Sequence, residues 1–580
     1  MDNHGIAEAI ADEGQHSIFE SMARKVNKRY RVSEVLLREL KRRGIKRVFG
    51  VPGRENASIL FNEVEGLEYI TTRVEFTAGI MADFTGRMTR TPQVCFSTMG
   101  PGATNMTTAA ASAMLNHSSL ILITAQLESD DRNYNLTHQC VDQRKVMEGV
   151  TKWSYELGCP EDLPWVLEKA FNIAQTEPVG PVHISIPTDF FKKEILVNYD
   201  LNKPILPRII NEKLFHEADA LDAIRQQLLD SEYPLCLIGE AAVRVGAQES
   251  IMKFCTEWNI PFVTAANAKG LANRNNPLNY GAASPYMEGI LGYQALEDIY
   301  THIDTLVCVG YQYVDDLLPK MWEYGNRKTI ISINSHYIRE IHKKFSPDLE
   351  CVGDISEMMD ELLSGKINKK NYKKMDALKD VYENIAKDRR IVNDRLTPIQ
   401  VINSVNTHIG DGILCTDIGY YRHHAILFSD PQAVGRFFTD AGLSSFGTGL
   451  PYAIAAQAQE PDKQIFLICG DGGFHSGSGD LETLVRYNLP AIVIVMNNNA
   501  FKLIELYQAR SNEPKDQNKQ VVTLGSVDFV MLAEANGCRG IRVNNVDELD
   551  VAIRSHDRLK PLLIEVPMEY RDRDSFRESF

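Results

Sequence analysis

Asp471 and Asn498, 27 positions apart, are the side chains in this sequence best suited to hold a hard cation beside a phosphate. A carboxylate and an amide oxygen fill part of the octahedral shell of an ion such as Mg2+, which keeps other positions for water and phosphate oxygens. Gly470, Gly472 and Gly473 surround the aspartate and leave backbone N–H groups open to a phosphate. For these groups to converge, the chain must run strand, loop, helix, strand. The apolar run Ile465 to Cys469 reads as a buried parallel strand and Asp480 to Tyr487 as an amphipathic helix. Ala491 to Met496 reads as a second strand, ending in Asn497-Asn498-Asn499. A right-handed βαβ unit of this kind puts both residues at strand carboxyl ends, where open α/β sheets place ligands.

The chain around this unit has 580 residues, too many for one core, so several domains are expected. It is 44% hydrophobic and 24% charged, as a soluble globular protein is. A net charge of −15 argues against a nucleic-acid partner. Ten scattered cysteines with no CxxC pair fit a reducing compartment. No apolar run is long enough to span a membrane and the N-terminus lacks a signal core, so a cytoplasmic location is expected. An N-terminal extension (1–27) precedes a first domain (28–200), and a proline-bearing linker leads to a central domain (218–365). A lysine-rich connector near Asn368 to Arg395, read as a solvated helix, leads to a third domain (397–570). Strands and helices alternate in each, for instance VCFST (94–98), LILITA (120–125) and PLCLIG (234–239). The expected fold class is therefore α/β, with three doubly wound parallel-sheet domains. Gly239-Glu240-Ala241-Ala242-Val243 lacks the GxGxxG pattern, so NAD is not indicated, and no flavin is demanded.

Two stretches of the first domain also carry chemistry. Arg73-Val74-Glu75-Phe76 sets a lone glutamate between an extended run and a small-residue helix, and Thr98-Met99-Gly100-Pro101-Gly102-Ala103-Thr104-Asn105 is a strand-to-helix turn. Read alone, they are a helix-terminus charge and a capped turn. Beside GDG and NN, they resemble the cofactor elements of thiamine-diphosphate-dependent enzymes. That resemblance implies thiamine diphosphate with Mg2+, the metal held by Asp471, Asn498 and the carbonyl of Ala500. Gly470, Gly472 and Gly473 then meet the diphosphate, Thr98 lines the cleft, and Phe446 wedges the cofactor. Glu75 shares a proton with N1′ of the aminopyrimidine from a dry pocket, flanked by Val74 and Phe76. The resemblance names the domains as pyrimidine-binding, central Rossmann-like and diphosphate-binding. It also implies a homodimer or dimer of dimers, Glu75 of one subunit facing Asp471 of its mate.

Longer strings narrow the resemblance. EFTAG, THQC-x-D, TEPVGP, NYGA, YMEGIL, RHHAILF, GDGGFHS-x-S-x-DLET and LIELYQ resemble the N2-(2-carboxyethyl)arginine synthase branch of clavam biosynthesis, within the acetolactate-synthase-like enzymes. That branch implies joining three carbons of glyceraldehyde 3-phosphate to the α-amine of arginine through an acryloyl-thiamine species, with release of phosphate. The partners implied are a phosphorylated triose and an amino acid. Arg422 and His423, with His138, are then candidate cationic donors for phosphate. Gln139 and Tyr286 reach the substrate, with Tyr570 a similar candidate, and Asp316 forks the acceptor's guanidinium. Lys502, beside Phe501, adds a charge near the cleft where relatives carry small residues, and Gln312 stands where an acid is expected. Two other readings stay open. One is an acetolactate-synthase-like 2-oxoacid carboligase or decarboxylase, with Arg422 on the donor carboxylate. The other is a non-catalytic protein retaining the fold, against which intact Glu75, Asp471 and Asn498 speak.

Overall fold

The computed structural model describes residues 28–60, 62–131, 138–205, 218–291, 296–297, 300–312, 325–337, 346–365, 367, 376–387, 394–510 and 519–570. The N-terminal extension, Asp316 and parts of the linker and connector lie outside them. Three sheets, each of six parallel strands, organise the chain. The first contains β2 (Arg47–Gly50), β3 (Glu68–Thr71), β4 (Gln93–Ser97), β5 (Leu120–Gln126), β6 (Trp153–Glu156) and β7 (Val182–Pro187). Their order is β3-β2-β4-β5-β7-β6. A small antiparallel pair, β1 (Lys28–Arg31) with β8 (Glu194–Val197), ties the start of this domain to its end.

The central sheet uses β9 (Pro234–Ile238), β10 (Phe262–Thr264), β11 (Asn279–Ala282), β12 (Thr305–Val309), β13 (Thr329–Asn334) and β14 (Leu349–Val352). Counted from its own first strand, its order is 3-2-1-4-5-6, that of dinucleotide-binding sheets. The third sheet uses β15 (Ile413–Thr416), β16 (Phe437–Phe438), β17 (Ile465–Gly470), β18 (Ile492–Asn497), β19 (Arg539–Arg542) and β20 (Leu562–Pro567). Its order, β16-β15-β17-β18-β20-β19, repeats that of the first sheet strand for strand.

The sequence dictates this arrangement simply. LILITAQ in β5 and IVIVMN in β18 are buried at every position, so both faces of those strands need cover, and helices supply it. Between β4 and β5, and between β17 and β18, the connections are helical, as parallel pairing requires. The chain divides into two compact units. One comprises residues 1–82, 91–114 and 119–210; the other comprises 83–90, 115–118 and 211–580. The second unit thus holds the central and third sheets. All ten cysteines are free, eight of them buried. No described helix is long and apolar enough to cross a membrane.

The connector differs from a solvated helix. Asp376–Ala386 is helical, but Leu378 and Tyr382 are buried, with Tyr382 donating its hydroxyl to the Ala282 carbonyl at 3.1 Å. Its apolar residues recur at helical spacing among the lysines, so charge on one face hid a packing face on the other.

Candidate active site

In the first unit, three candidate segments converge. Glu75 is the first residue of the Glu75–Thr89 helix, and its Oε2 accepts from Asn105 Nδ2 at 3.0 Å. Asn105 closes the short Pro101–Asn105 helix that begins in the glycine-rich turn after β4. A Cβ at Gly102 would stand 2.5 Å from Thr98 Oγ1 and 3.4 Å from Glu75 Oε1, so only glycine lets the three approach. Gly100 has φ +60°, and a Cβ there would lie 2.7 Å from the Gln139 carbonyl oxygen. Gln139 itself adopts φ +60°. A non-glycine residue in that conformation is uncommon and marks a segment held by its surroundings. His138 is exposed in the same turn and Gln139 is half-buried. Glu75 is half-buried too, and Val74 is 43% exposed, so the dry pocket expected around the glutamate is not closed in the single chain.

In the second unit, the glycine-rich corner is not a loop. Asp471 opens a short helix, Asp471–Gly477, with Gly470 as its N-cap. The two glycines after Asp471 hid that helix from the sequence, since glycine is a poor helix former. Asp471 is buried, and its Oδ1 accepts from the Gly472 N–H at 3.0 Å. Its Oδ2 is buried without a hydrogen-bond partner among the described residues. Burial raises the Asp471 pKa, while N–H groups of Gly472, Asn499 and Ala500 oppose the rise. A buried carboxylate oxygen left unpaired is costly, and a cation is the partner that removes the cost.

Asn498 and Ala500 follow β18 and are half-buried. Asn499 takes φ +53° and its carbonyl accepts from Leu524 N at 2.7 Å, so this corner is pinned by a neighbouring segment. Asn497 is not a ligand candidate. Its Nδ2 donates to Glu565 Oε1 at 2.9 Å, and Glu565 Oε2 in turn takes Arg542 Nη2 at 2.9 Å. Added Cβ atoms at Gly470, Gly472 and Gly473 would meet Tyr421, Phe501 and Asp417 at 2.9, 2.6 and 2.8 Å. The corner is a cradle already filled to the backbone. Among the described residues no three His, Cys, Asp or Glu side chains cluster as a metal site. One carboxylate, one amide and one carbonyl therefore form an incomplete shell, which suits an ion whose remaining ligands are phosphate and water.

Sequence reasoning missed Asp417. It follows β15 at the point where the strand order reverses, between β15 and β17, where ligand crevices form. Its carboxylate accepts from the N–H groups of Ile418 at 2.7 Å and Gly447 at 3.1 Å, and burial pushes its pKa up to about 7. An acid at the end of an apolar strand with a glycine within two residues was the readable signal, shared with Asp471.

The Tyr420–Phe428 helix that follows is buried along its whole length. This corrects the expectation for two candidates. Arg422 does not face solvent as a free phosphate donor: its Nη1 donates to the Asp440 carbonyl at 2.9 Å and lies 3.3 Å from Ser444 Oγ. His423 is not a cation. Burial, then the Arg422 charge and His424, push its pKa well below the ordinary imidazole value. Its Nδ1 lies 2.9 Å from Ser284 Oγ, and its ring packs on Tyr286 at 4.2 Å. The Tyr286 hydroxyl is 2.6 Å from that of Tyr507. Ser284 and Tyr507 were not foreseen: Ser284 lies outside the quoted strings, and Tyr507 was not singled out within LIELYQ. Tyr570 is buried, its ring 5.5 Å from that of Tyr420, and Lys502 Nζ stands 5.5 Å from the Tyr570 ring centre. The Lys502 charge is not unopposed, since Nζ pairs with Glu505 at 3.2 Å. Phe446, expected as a wedge, is 47% exposed and stacks on Phe501 with ring centres 5.7 Å apart. Gln312 is buried.

Three family models match the chain in succession. They are the N-terminal TPP binding domain of thiamine pyrophosphate enzymes over residues 30–146, their central domain over 221–362 and their C-terminal TPP binding domain over 417–566. The chain is a thiamine-diphosphate-dependent enzyme. Its cofactor is thiamine diphosphate with a divalent metal, typically Mg2+, and the unpaired Asp471 oxygen in a glycine cradle fits that pair. The chain is similar to the acetolactate synthase of Bacillus subtilis (strain 168). The two are 28% identical over 560 residues, covering 93% of this chain and 94% of the other. A probable acetolactate synthase large subunit from Methanocaldococcus jannaschii is 29% identical over 536 residues, covering 89% and 88%. The Escherichia coli (strain K12) acetolactate synthase isozyme 3 large subunit is 25% identical over 528 residues, covering 89% and 90%.

Proposed function

We propose that this enzyme is a 2-oxoacid carboligase of the acetolactate synthase type, decarboxylating one 2-oxoacid such as pyruvate and joining the fragment to a second carbonyl compound. The observation that carries this reading is the end-to-end similarity to acetolactate synthases across all three domains. His423 Nδ1 lies 2.9 Å from Ser284 Oγ and its ring packs on Tyr286, so it is placed to position Tyr286.

Bound thiamine diphosphate supplies a nucleophilic carbon and an electron sink for bonds next to a carbonyl. The protein's own residues do the rest. Asp471, with Asn498 and the Ala500 carbonyl, holds the metal, and the glycines at 470, 472 and 473 let backbone reach the diphosphate. Glu75 holds a proton toward the aminopyrimidine ring nitrogen, oriented by Asn105. Gln139, fixed over Gly100, and Tyr286 bind and orient substrate, and Arg422 fixes the 440–444 turn from below.

A second reading, transfer of a three-carbon unit from glyceraldehyde 3-phosphate to the α-amine of arginine or a related amine, is favoured by one observation. Tyr286 touches both His423 and Tyr507, and all three come from strings that resemble the carboxyethylarginine synthase branch. A neutral His423 counts against its use as a phosphate-expelling cation. The enzyme saturated with thiamine diphosphate and Mg2+ distinguishes the two. Carbon dioxide from pyruvate with a coupled acetohydroxy acid supports the carboligase. Phosphate release from glyceraldehyde 3-phosphate, with an amino acid gaining a carboxyethyl group in the mass spectrum, replaces it with the second reading.

A further inference from the structure

An open cleft of about 120 Å3 lies within the second unit. It is bordered by the segment between β10 and β11, the Asp376–Ala386 helix and the residues just after the Tyr420–Phe428 helix. Its size is that of a site for a small ion rather than for a larger organic ligand. None of the candidate active-site residues lines it.

Its hydrogen-bond inventory is lopsided. Arg274 makes no hydrogen bond or ion pair among the described residues, and its guanidinium rests 5.9 Å from the Tyr382 ring centre. A guanidinium carries five N–H donors, so all five are unspent. Lys269 is buried and gives one hydrogen to the Ile426 carbonyl, leaving two. Lys379 spends two hydrogens on the carbonyls of Asn276 and Pro277, leaving one. Ser429 is buried, and its hydroxyl has no partner among the described residues. Against these donors stand two carboxylates. Glu383 is engaged by Lys387 at 2.8 Å and also feels the Arg274 charge, and Asp430 faces Lys269. Burial, then the Arg274 charge, pushes Lys269 down to about 7, with Asp430 opposing the fall.

We propose that this cleft is a binding site for a small oxyanion, a phosphate ester or a carboxylate, gripped by Arg274 with Lys269, Lys379 and Ser429. A carboxylate or a phosphate offers the pair of acceptor oxygens that an unspent guanidinium fork matches, and each of its bonds here is charge-assisted. The free donors outnumber the one unengaged carboxylate, so an anion rather than a cation completes the set. The site is independent of which reaction the enzyme catalyses.

The test is calorimetric titration of the full-length enzyme, saturated with thiamine diphosphate and Mg2+, with inorganic phosphate and separately with malonate. One ion bound per chain is expected, weakened at least tenfold in Arg274→Ala and less in Arg274→Lys. Preference for phosphate or for malonate tells which oxyanion class the site takes. Glu75→Gln, inactive but unaltered in this cleft, is expected to bind with wild-type affinity. Absence of binding to either ion, or an affinity unchanged in Arg274→Ala, overturns the proposal. Arg274 is half-exposed at most in its loop and supports no core, so a second variant, Ser429→Ala, guards against misfolding: both variants must keep the wild-type melting temperature for the comparison to stand.

Discussion

At the scale of single residues, Asp471 is the group on which the cofactor site depends. Its Oδ2 has no partner among the described residues, so a metal would remove a desolvation penalty as well as gain a ligand. Asp471→Asn is expected to weaken thiamine diphosphate binding in Mg2+ by more than about 100-fold, measured by quenching of intrinsic fluorescence. Asn497→Ala acts one step removed, by releasing the corner from Glu565, and should cost about 10- to 100-fold, the usual effect of a supporting residue. An equal loss in both would mean that Asn497 itself ligates the metal. His423 gives a prediction about pH. Because its folded pKa lies well below the ordinary value, it stays neutral through the range in which a solvated imidazole titrates. The wild-type kcat profile should therefore lack an acid limb centred near pH 6.5. Such a limb, present in the wild type and lost in His423→Gln, contradicts the neutral assignment.

At the scale of elements, the turn after β4 decides how the first unit presents Glu75. Gly100 both occupies the left-handed region and abuts the Gln139 backbone, whereas Gly44, at φ +83°, has nothing within 4 Å of an added Cβ. Gly44→Ala should cost only its backbone conformation, about 1 kcal/mol. Gly100→Ala adds an overlap with backbone, and an extra loss of about 1–3 kcal/mol is expected from thermal unfolding, with a fall in turnover as Asn105 leaves Glu75. The far part of the Glu75–Thr89 helix carries a different device. Asp83 is fully buried, neither carboxylate oxygen has a hydrogen-bond partner among the described residues, and desolvation raises its pKa from 3.8 to about 7. Its folded pKa is above its unfolded one, so its contribution is full below about pH 4 and is lost as pH rises through 7. The melting temperature of Asp83→Asn, compared with wild type, should therefore improve between pH 5 and pH 8; a constant difference shows that Asp83 does not titrate there. Elements were the level at which the sequence was most legible. Runs such as LILITA and PLCLIG appear as β5 and β9, because a parallel strand buried on both faces writes itself as an unbroken apolar string. What stayed hidden was set by tertiary surroundings. Nothing local in RHH says that Arg422 and His423 are buried, and nothing in Ser284 or Tyr507 says which side chain each will meet.

At the scale of the molecule, Glu75 and the Asp471 cradle belong to different compact units, and the family resemblance pairs them across two copies of the chain. Glu75→Gln and Asp471→Asn, each inactive alone, test this pairing. When the two are mixed and allowed to exchange subunits, a site built from two chains regains activity toward about a quarter of wild type, since half of the dimers are mixed and each has one intact site. No recovery, with exchange verified by mass, places both halves of a site in one chain. The three sheets have a consequence for how the protein is made. Each is drawn from one uninterrupted stretch, β2 to β7, then β9 to β14, then β15 to β20, with no strand borrowed from another. On the ribosome the first sheet can close while the third is still unsynthesised, because domains fold as units as they emerge. Asp471 and Asn498 come from the last stretch, so capture of the cofactor is a late event in the protein's birth. Cells short of thiamine should then accumulate complete, folded and idle chains rather than half-built ones.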